Sequence, residues 1–101
     1  MNFLNIEEKK QLKKKLEEKA DLFKAISHPV RLCILEMLLR NNKIKVNDMQ
    51  CCIEVSQSTV SQHLAKLKAA GIVTGSREGV EIYYSISNEE IEKIIKLILQ
   101  N

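Results

Sequence analysis

A chain of 101 residues, 45% of them hydrophobic but with only two Phe, two Tyr and no Trp, must build a modest core from aliphatic side chains, and chains this short often complete their burial by oligomerising. The net charge of +3, 16 basic residues against 13 acidic, is too small to single out a nucleic-acid binder, so where the charges sit matters more than their sum. No apolar run is long enough to span a bilayer, MNFLNIEEKK is not a secretory signal, and three cysteines do not make a disulfide framework; membrane and secreted classes are set aside and a cytoplasmic location is expected.

The first expected helix covers 5–25, with Leu12, Leu16, Ala20 and Phe23 spaced to form one apolar stripe and the Lys13 to Lys15 run as a solvated face. Ser27-His28-Pro29 ends it and starts the next, because proline suits the first helical position and pushes its predecessor away from helix. His28 reads as a capping or surface histidine, with no second ligand at metal spacing. The second helix runs to Arg40, with Leu32, Ile34, Leu35, Leu38 and Leu39 inward, Glu36 and Arg40 outward, and Cys33 at the rim of the core. After an Asn41-Asn42 turn, a short helix over 46–53 follows, with Met49, Cys52 and Ile53 available to face inward.

The stretch 55–71, VSQSTVSQHLAKLKAAG, has both helix ends written in. Ser56 is a good N-cap, Val55 and Val60 have the spacing of a hydrophobic staple, and Gly71 is placed to end the helix left-handed with Ile72 folding back on Leu67. Val60, Leu64 and Leu67 form a narrow apolar stripe, while Ser58, Ser61, Gln62 and Ala65 gather opposite and Lys66 and Lys68 lie on the flanks. An ordinary solvated face would carry Glu and Lys; Ser and Gln are suited to base edges in a major groove that admits a helix. A short helix, a tight turn and this helix make a helix-turn-helix over 46–70, with Glu54 standing in the turn where glycine is common.

Beyond Gly71 the period turns to alternation over 72–87. A strand opens at Ile72-Val73-Thr74, Arg77-Glu78-Gly79 makes the turn, and Val80, Ile82, Tyr84 and Ile86 alternate with polar neighbours. A hairpin directly after such a helix is a wing, whose tip residue Arg77 is placed for a phosphate or a minor groove, or else is simply a solvated turn arginine. The last helix, 88–100, carries Ile91, Ile94, Ile95, Leu97, Ile98 and Leu99 over roughly 200° of its circumference, about twice what packing on one core requires. The expectation is therefore mainly α with a β-hairpin wing, a single winged helix-turn-helix over 1–101 in the order α-α-α-α-β-β-α. It forms a homodimer through its terminal helices, using Leu12, Leu16, Ile91, Ile94, Ile95 and Ile98.

Three blocks, LFKAISHPVRLCILEMLL, VSQSTVSQHLAKLKAAGIV and GVEIYYSI, resemble in order and spacing the ArsR/SmtB family of bacterial winged-helix repressors, over nearly the whole chain. The resemblance implies a dimer with two recognition helices in successive major grooves of an inverted-repeat operator, roughly 34 Å apart. It places Gln57, Ser58, Ser61 and Gln62 on bases, Thr59 and Lys66 on the backbone and Arg77 in the wing contact, with His63 a structural or phosphate-contacting residue. Many members release DNA on binding a metal, but the family's thiolate positions fall on Lys45-Val46-Asn47-Asp48 and its other ligand positions on Asn88, Glu90 and Asn101. Those residue types are poor ligands for zinc-like ions, so the chain is similar to metal-independent members, and no cofactor, metal or small-molecule effector is expected.

Cys33, Cys51 and Cys52 are the remaining candidates for sensing, through a thiol pair that responds to oxidants or sulfur species. Free cysteine otherwise behaves as a small buried hydrophobe, and a Cys33 to Cys51 link needs α-carbons within about 7 Å. A winged helix that binds protein instead of DNA would show aromatic or large aliphatic anchors on its outward face, and this one has none. No paired carboxylates, phosphate-binding glycine loop or Ser-base spacing suggests an enzyme.

Overall fold

In the computed structural model, which describes residues 4–49 and 55–100, the elements run α1 (Ile6–Ile26), α2 (Pro29–Arg40), β1 (Ile44–Lys45), a 3-10 turn (Val46–Asp48), α3 (Gln57–Ala69), β2 (Val73–Glu78), β3 (Glu81–Ile86) and α4 (Glu89–Leu99). Each α-helix starts at a side-chain cap. Asn5 and Glu8 form a reciprocal capping box on α1. His28 Nδ1 accepts the Val30 N–H at 3.0 Å, so the histidine expected at the helix junction is the cap of α2. Asn88 caps α4 by accepting the Ile91 N–H at 3.0 Å.

α3 ends as its glycine predicts. Gly71 takes φ +74, the Ile72 N–H donates to the Leu67 carbonyl and the Gly71 N–H to that of Lys68, both at 3.0 Å, which is the bonding of a Schellman motif. The motif turns Ile72 straight into the core, where Ile34, Leu35, Val60, Leu67, Ile72, Ile91 and Ile95 are the largest fully buried side chains. α2, α3, the start of the hairpin and one face of α4 thus share a single aliphatic interior.

The sheet has three strands, one more than the two-stranded hairpin that the alternation predicts. β1 pairs antiparallel with β3, Ile44 opposite Tyr84 and Lys45 opposite Tyr83, giving the order β1-β3-β2. The described order is therefore α-α-β-α-β-β-α. The helix expected over 46–53 begins as a single 3-10 turn, with Met49 buried behind it; Cys52, Ile53 and Glu54 lie outside the described residues.

The hairpin turn also sits further along than its polar residues suggest. Arg77 and Glu78 belong to β2, Glu78 pairs with Glu81, and the two-residue loop is Gly79-Val80, glycine first with φ +66. Polar residues on this edge strand resemble a turn by composition alone. At Gly75 the Tyr84 ring lies so close that an added Cβ would stand 3.1 Å from its Cε1, so glycine admits the ring that packs the hairpin onto the core.

α1 departs most from the rest. Of its 21 residues only Ile26 is buried, and Leu16 and Phe23 are 58% and 54% exposed. A helix of that length spans about 31 Å, and the radius of gyration, 16.2 Å, exceeds the roughly 13 Å of a compact chain of 100 residues.

Candidate nucleic-acid interface

α3 buries Val60, Leu64 and Leu67, which leaves Gln57, Ser58, Ser61, Gln62, Ala65 and Lys66 exposed on the opposite side and Thr59 half-buried between. The Ser56 hydroxyl organises the start of this face: it accepts the Thr59 N–H at 3.2 Å and lies 3.0 Å from Ser58 Oγ and 2.9 Å from Thr59 Oγ1. The sequence pattern marks Ser56 as a cap alone. The cap also ties down the Ser58 and Thr59 hydroxyls, so the two side chains present themselves in a fixed arrangement instead of as free rotors. Lys66 and Lys68 add positive charge in the last turn.

Arg77 is exposed on β2 opposite Ile82, close to the loop at Gly79. Val80 at the tip is 89% exposed and Ile82 43%, so the apolar alternation of β3 runs off the core towards the end of the wing. A brace missed in the sequence steadies this hairpin. Lys43 Nζ reaches both carboxylate oxygens of Glu78, at 2.6 and 2.8 Å, and passes 5.0 Å from the Tyr83 ring centroid.

The inner edge of α3 is fastened at His63. Arg31 Nε donates to His63 Nδ1 at 3.1 Å while its Nη1 donates to the Ala25 carbonyl at 3.0 Å, and the His28 and His63 rings lie 4.3 Å apart. Burial, with the charges of His28, Arg31 and Lys66, holds the His63 imidazole below its ordinary value of 6.5. No sequence spacing marks this set, because the residues come from three separate elements.

Two of the positions that the family resemblance assigns to metal ligands have other partners here. Asn88 is committed as a helix cap and Glu90 is paired with Lys19, whose hydrogen bond and charge hold that carboxyl below the usual range. Among the described residues no three of His, Cys, Asp and Glu gather as ligands, and Asn101 lies outside them. Cys33 sits half-buried at the rim, as expected, and is disulfide-bonded; Cys51 and Cys52, the other cysteines of the chain, lie outside the described residues.

Of the residues expected at a dimer interface, Ile91 and Ile95 prove to be core, 1% and 0% exposed, because the sequence pattern cannot say which arc of an all-round apolar helix its own domain takes. Leu12, Leu16 and Ile98 are exposed and Ile94 is half-buried. Between α1 and α4 runs a groove of about 260 Å³ lined by Leu22, Phe23, Ile91 and Ile94, with the Lys19–Glu90 pair beside it. No helix among the described residues is long and apolar enough to cross a membrane.

Against known proteins, the family described as "Bacterial regulatory protein, arsR family" matches residues 28–74. The transcriptional repressor PagR of Bacillus anthracis is 42% identical over 83 residues, 82% of this chain and 83% of that protein, and its crystal structure superposes with a TM-score of 0.76. Reduced HlyU from Vibrio cholerae aligns at a TM-score of 0.81 and 34% identity over 89% of this chain and 94% of that one. The regulator YgaV of Escherichia coli is 39% identical over 85 residues, 84% of this chain and 86% of its own.

Proposed function

Given that the chain belongs to the ArsR family of bacterial regulatory proteins, which are transcriptional regulators and not enzymes, we propose that it is a cytoplasmic repressor that binds an inverted-repeat operator as a homodimer without a metal site. In this reading 46–70 is the helix-turn-helix, 72–87 the wing, and 5–25 with 88–100 the dimerisation helices. The observation that carries it is the outward face of α3: small and polar, with Ser and Gln where a solvated helix would hold Glu and Lys, and with its first hydroxyls fixed by Ser56.

Gln57, Ser58, Ser61 and Gln62 meet base edges, Thr59 and Lys66 the backbone, and Arg77 a phosphate or the minor groove beside the wing. Phosphate contacts supply most of the affinity and the α3 face the discrimination. The exposed stripe of α1, with Leu97 and Ile98 of α4, supports pairing with a second copy.

Gln62→Ala should cost about 1 to 3 kcal/mol on the preferred duplex and much less on random DNA, whereas Arg77→Ala should weaken both and flatten the salt dependence. Equal losses on both duplexes from Gln62→Ala would mean that the base-reading face is misassigned.

The disulfide at Cys33 favours a second reading, in which the repressor answers to thiol oxidation. A peroxide or sulfur oxidant would take two electrons from Cys33 and from Cys51 or Cys52, two protons leaving as the S–S bond forms. Operator binding that survives only in reductant supports this reading, and binding indifferent to reductant and oxidant removes it.

A further inference from the structure

Three elements meet at one corner of the molecule: the last turn of α1, the first turn of α2 and the middle of α3. Arg31 spans it, with Nη1 on the Ala25 carbonyl and Nε on His63 Nδ1. An arginine stays protonated at every accessible pH, so its Nε always donates and His63 Nδ1 must offer a lone pair. That fixes His63 as the neutral imidazole with its proton on Nε2. His28 is constrained in the same way, because its Nδ1 accepts the Val30 N–H. Two imidazoles 4.3 Å apart therefore both need a bare Nδ1.

We propose that Arg31 and His63 are positioning residues for α3, and that the corner they form with His28 lets α3 leave its base-reading pose in mild acid. The proposal rests on α3 being the reading helix and deepens that assignment. Apolar burial of Val60, Leu64 and Leu67 holds α3 on the core but is non-directional. The Arg31–His63 hydrogen bond at the edge of that stripe is directional, and it sets the rotation of α3 about its own axis, hence where Ser61 and Gln62 point.

Among the described residues the groups bearing on His63 are His28 from the α1–α2 junction, Arg31 from α2 and Lys66 from α3 itself. All are basic, so a protonated His63 loses its hydrogen bond and gains no counter-charge. The folded imidazole titrates below 6.5 and the released one near it. The fastening is thus complete above about pH 6.5 and is lost as pH falls below it.

The experiment compares the wild type, His63→Asn and His28→Asn. The amide introduced by His63→Asn keeps an acceptor near the Nδ1 position and does not titrate; the one introduced by His28→Asn keeps the N-cap. Fluorescence anisotropy follows binding to a duplex selected from a random pool at pH 7.5 and to the unselected pool, between pH 7.5 and 5.5 at fixed ionic strength. The wild type should lose affinity for the selected duplex relative to the pool, about tenfold being the limit for one proton taken up with a free pKa near 6.5. His63→Asn should bind at pH 7.5 and abolish that loss. In DNA-free protein, nitrogen-15 spectra should show His63 protonated on Nε2 at pH 7.5, with α3 amide shifts that titrate alongside it.

A His63→Asn variant with the wild-type pH profile, an Nδ1-protonated His63, or α3 amides indifferent to its titration would overturn the proposal. Selected-duplex binding at pH 7.5 that is flat with pH sinks the corner and leaves the reading helix standing; no duplex binding at pH 7.5 sinks the reading helix itself.

Discussion

α3 and α1 differ in what their sequences describe. α3, 13 residues long, has its start, its end and its apolar stripe all answered inside the protomer by the Ser56 cap, the Schellman turn at Gly71 and a core that takes Val60, Leu64 and Leu67. α1, at 21 residues, is as well capped but buries one side chain and leaves its stripe in solvent. A helix finished by its own domain can offer its remaining face for a polar ligand, and a helix that is not finished points to a second chain. That contrast separates the proposed reader from the proposed dimer surface more clearly than charge does.

The contrast breaks first at the core. Leu67→Ala should destabilise the fold by about 2 to 5 kcal/mol, seen as a lower denaturant midpoint when wild type and variant are compared at one protein concentration; a loss of a few tenths would show that α3 is less firmly held than its burial says. At the other pole, Leu16→Asp combined with Ile98→Asp should leave the helical content in place and halve the mass in sedimentation velocity, since both side chains are exposed in the protomer. An unchanged dimer mass would remove the terminal helices as the interface. A smaller effect sharpens the comparison: Ser56→Ala should cost about 1 kcal/mol of stability through the lost cap. It should also weaken specific DNA binding beyond that, because Ser58 and Thr59 lose their anchor; a stability loss with unaltered discrimination would reduce Ser56 to a cap.

Much of this is legible in residue order because it rests on local rules. The Ser56 cap, the glycine terminator, the 3.6 period of α3 and the alternation from Val80 to Ile86 are written within a few residues of where they act. The misses are tertiary. β1 is only Ile44-Lys45, too short to show a period, and it exists because β3 offers an edge to pair with. Arg77 and Glu78 look like a turn by composition, yet they are strand residues on a solvated edge, with Lys43 reaching across Tyr83 to hold Glu78. On α4 the sequence shows more apolar surface than one core needs but not which arc the core takes, and Ile91 and Ile95 go inward. The Arg31–His63 link joins positions on different helices, and no spacing in the chain announces it.

Site selection tests α3 as the reading helix of a homodimer most directly: the purified protein, in reductant at pH 7.5, is equilibrated with a pool of random duplexes and the bound fraction sequenced. The expected result is an inverted repeat whose half-sites are centred one helical turn, about 10 base pairs, or a multiple of that apart, as two copies of α3 related by a two-fold axis require. A pool that emerges without enrichment, or enriched in a single unpaired half-site, would contradict it.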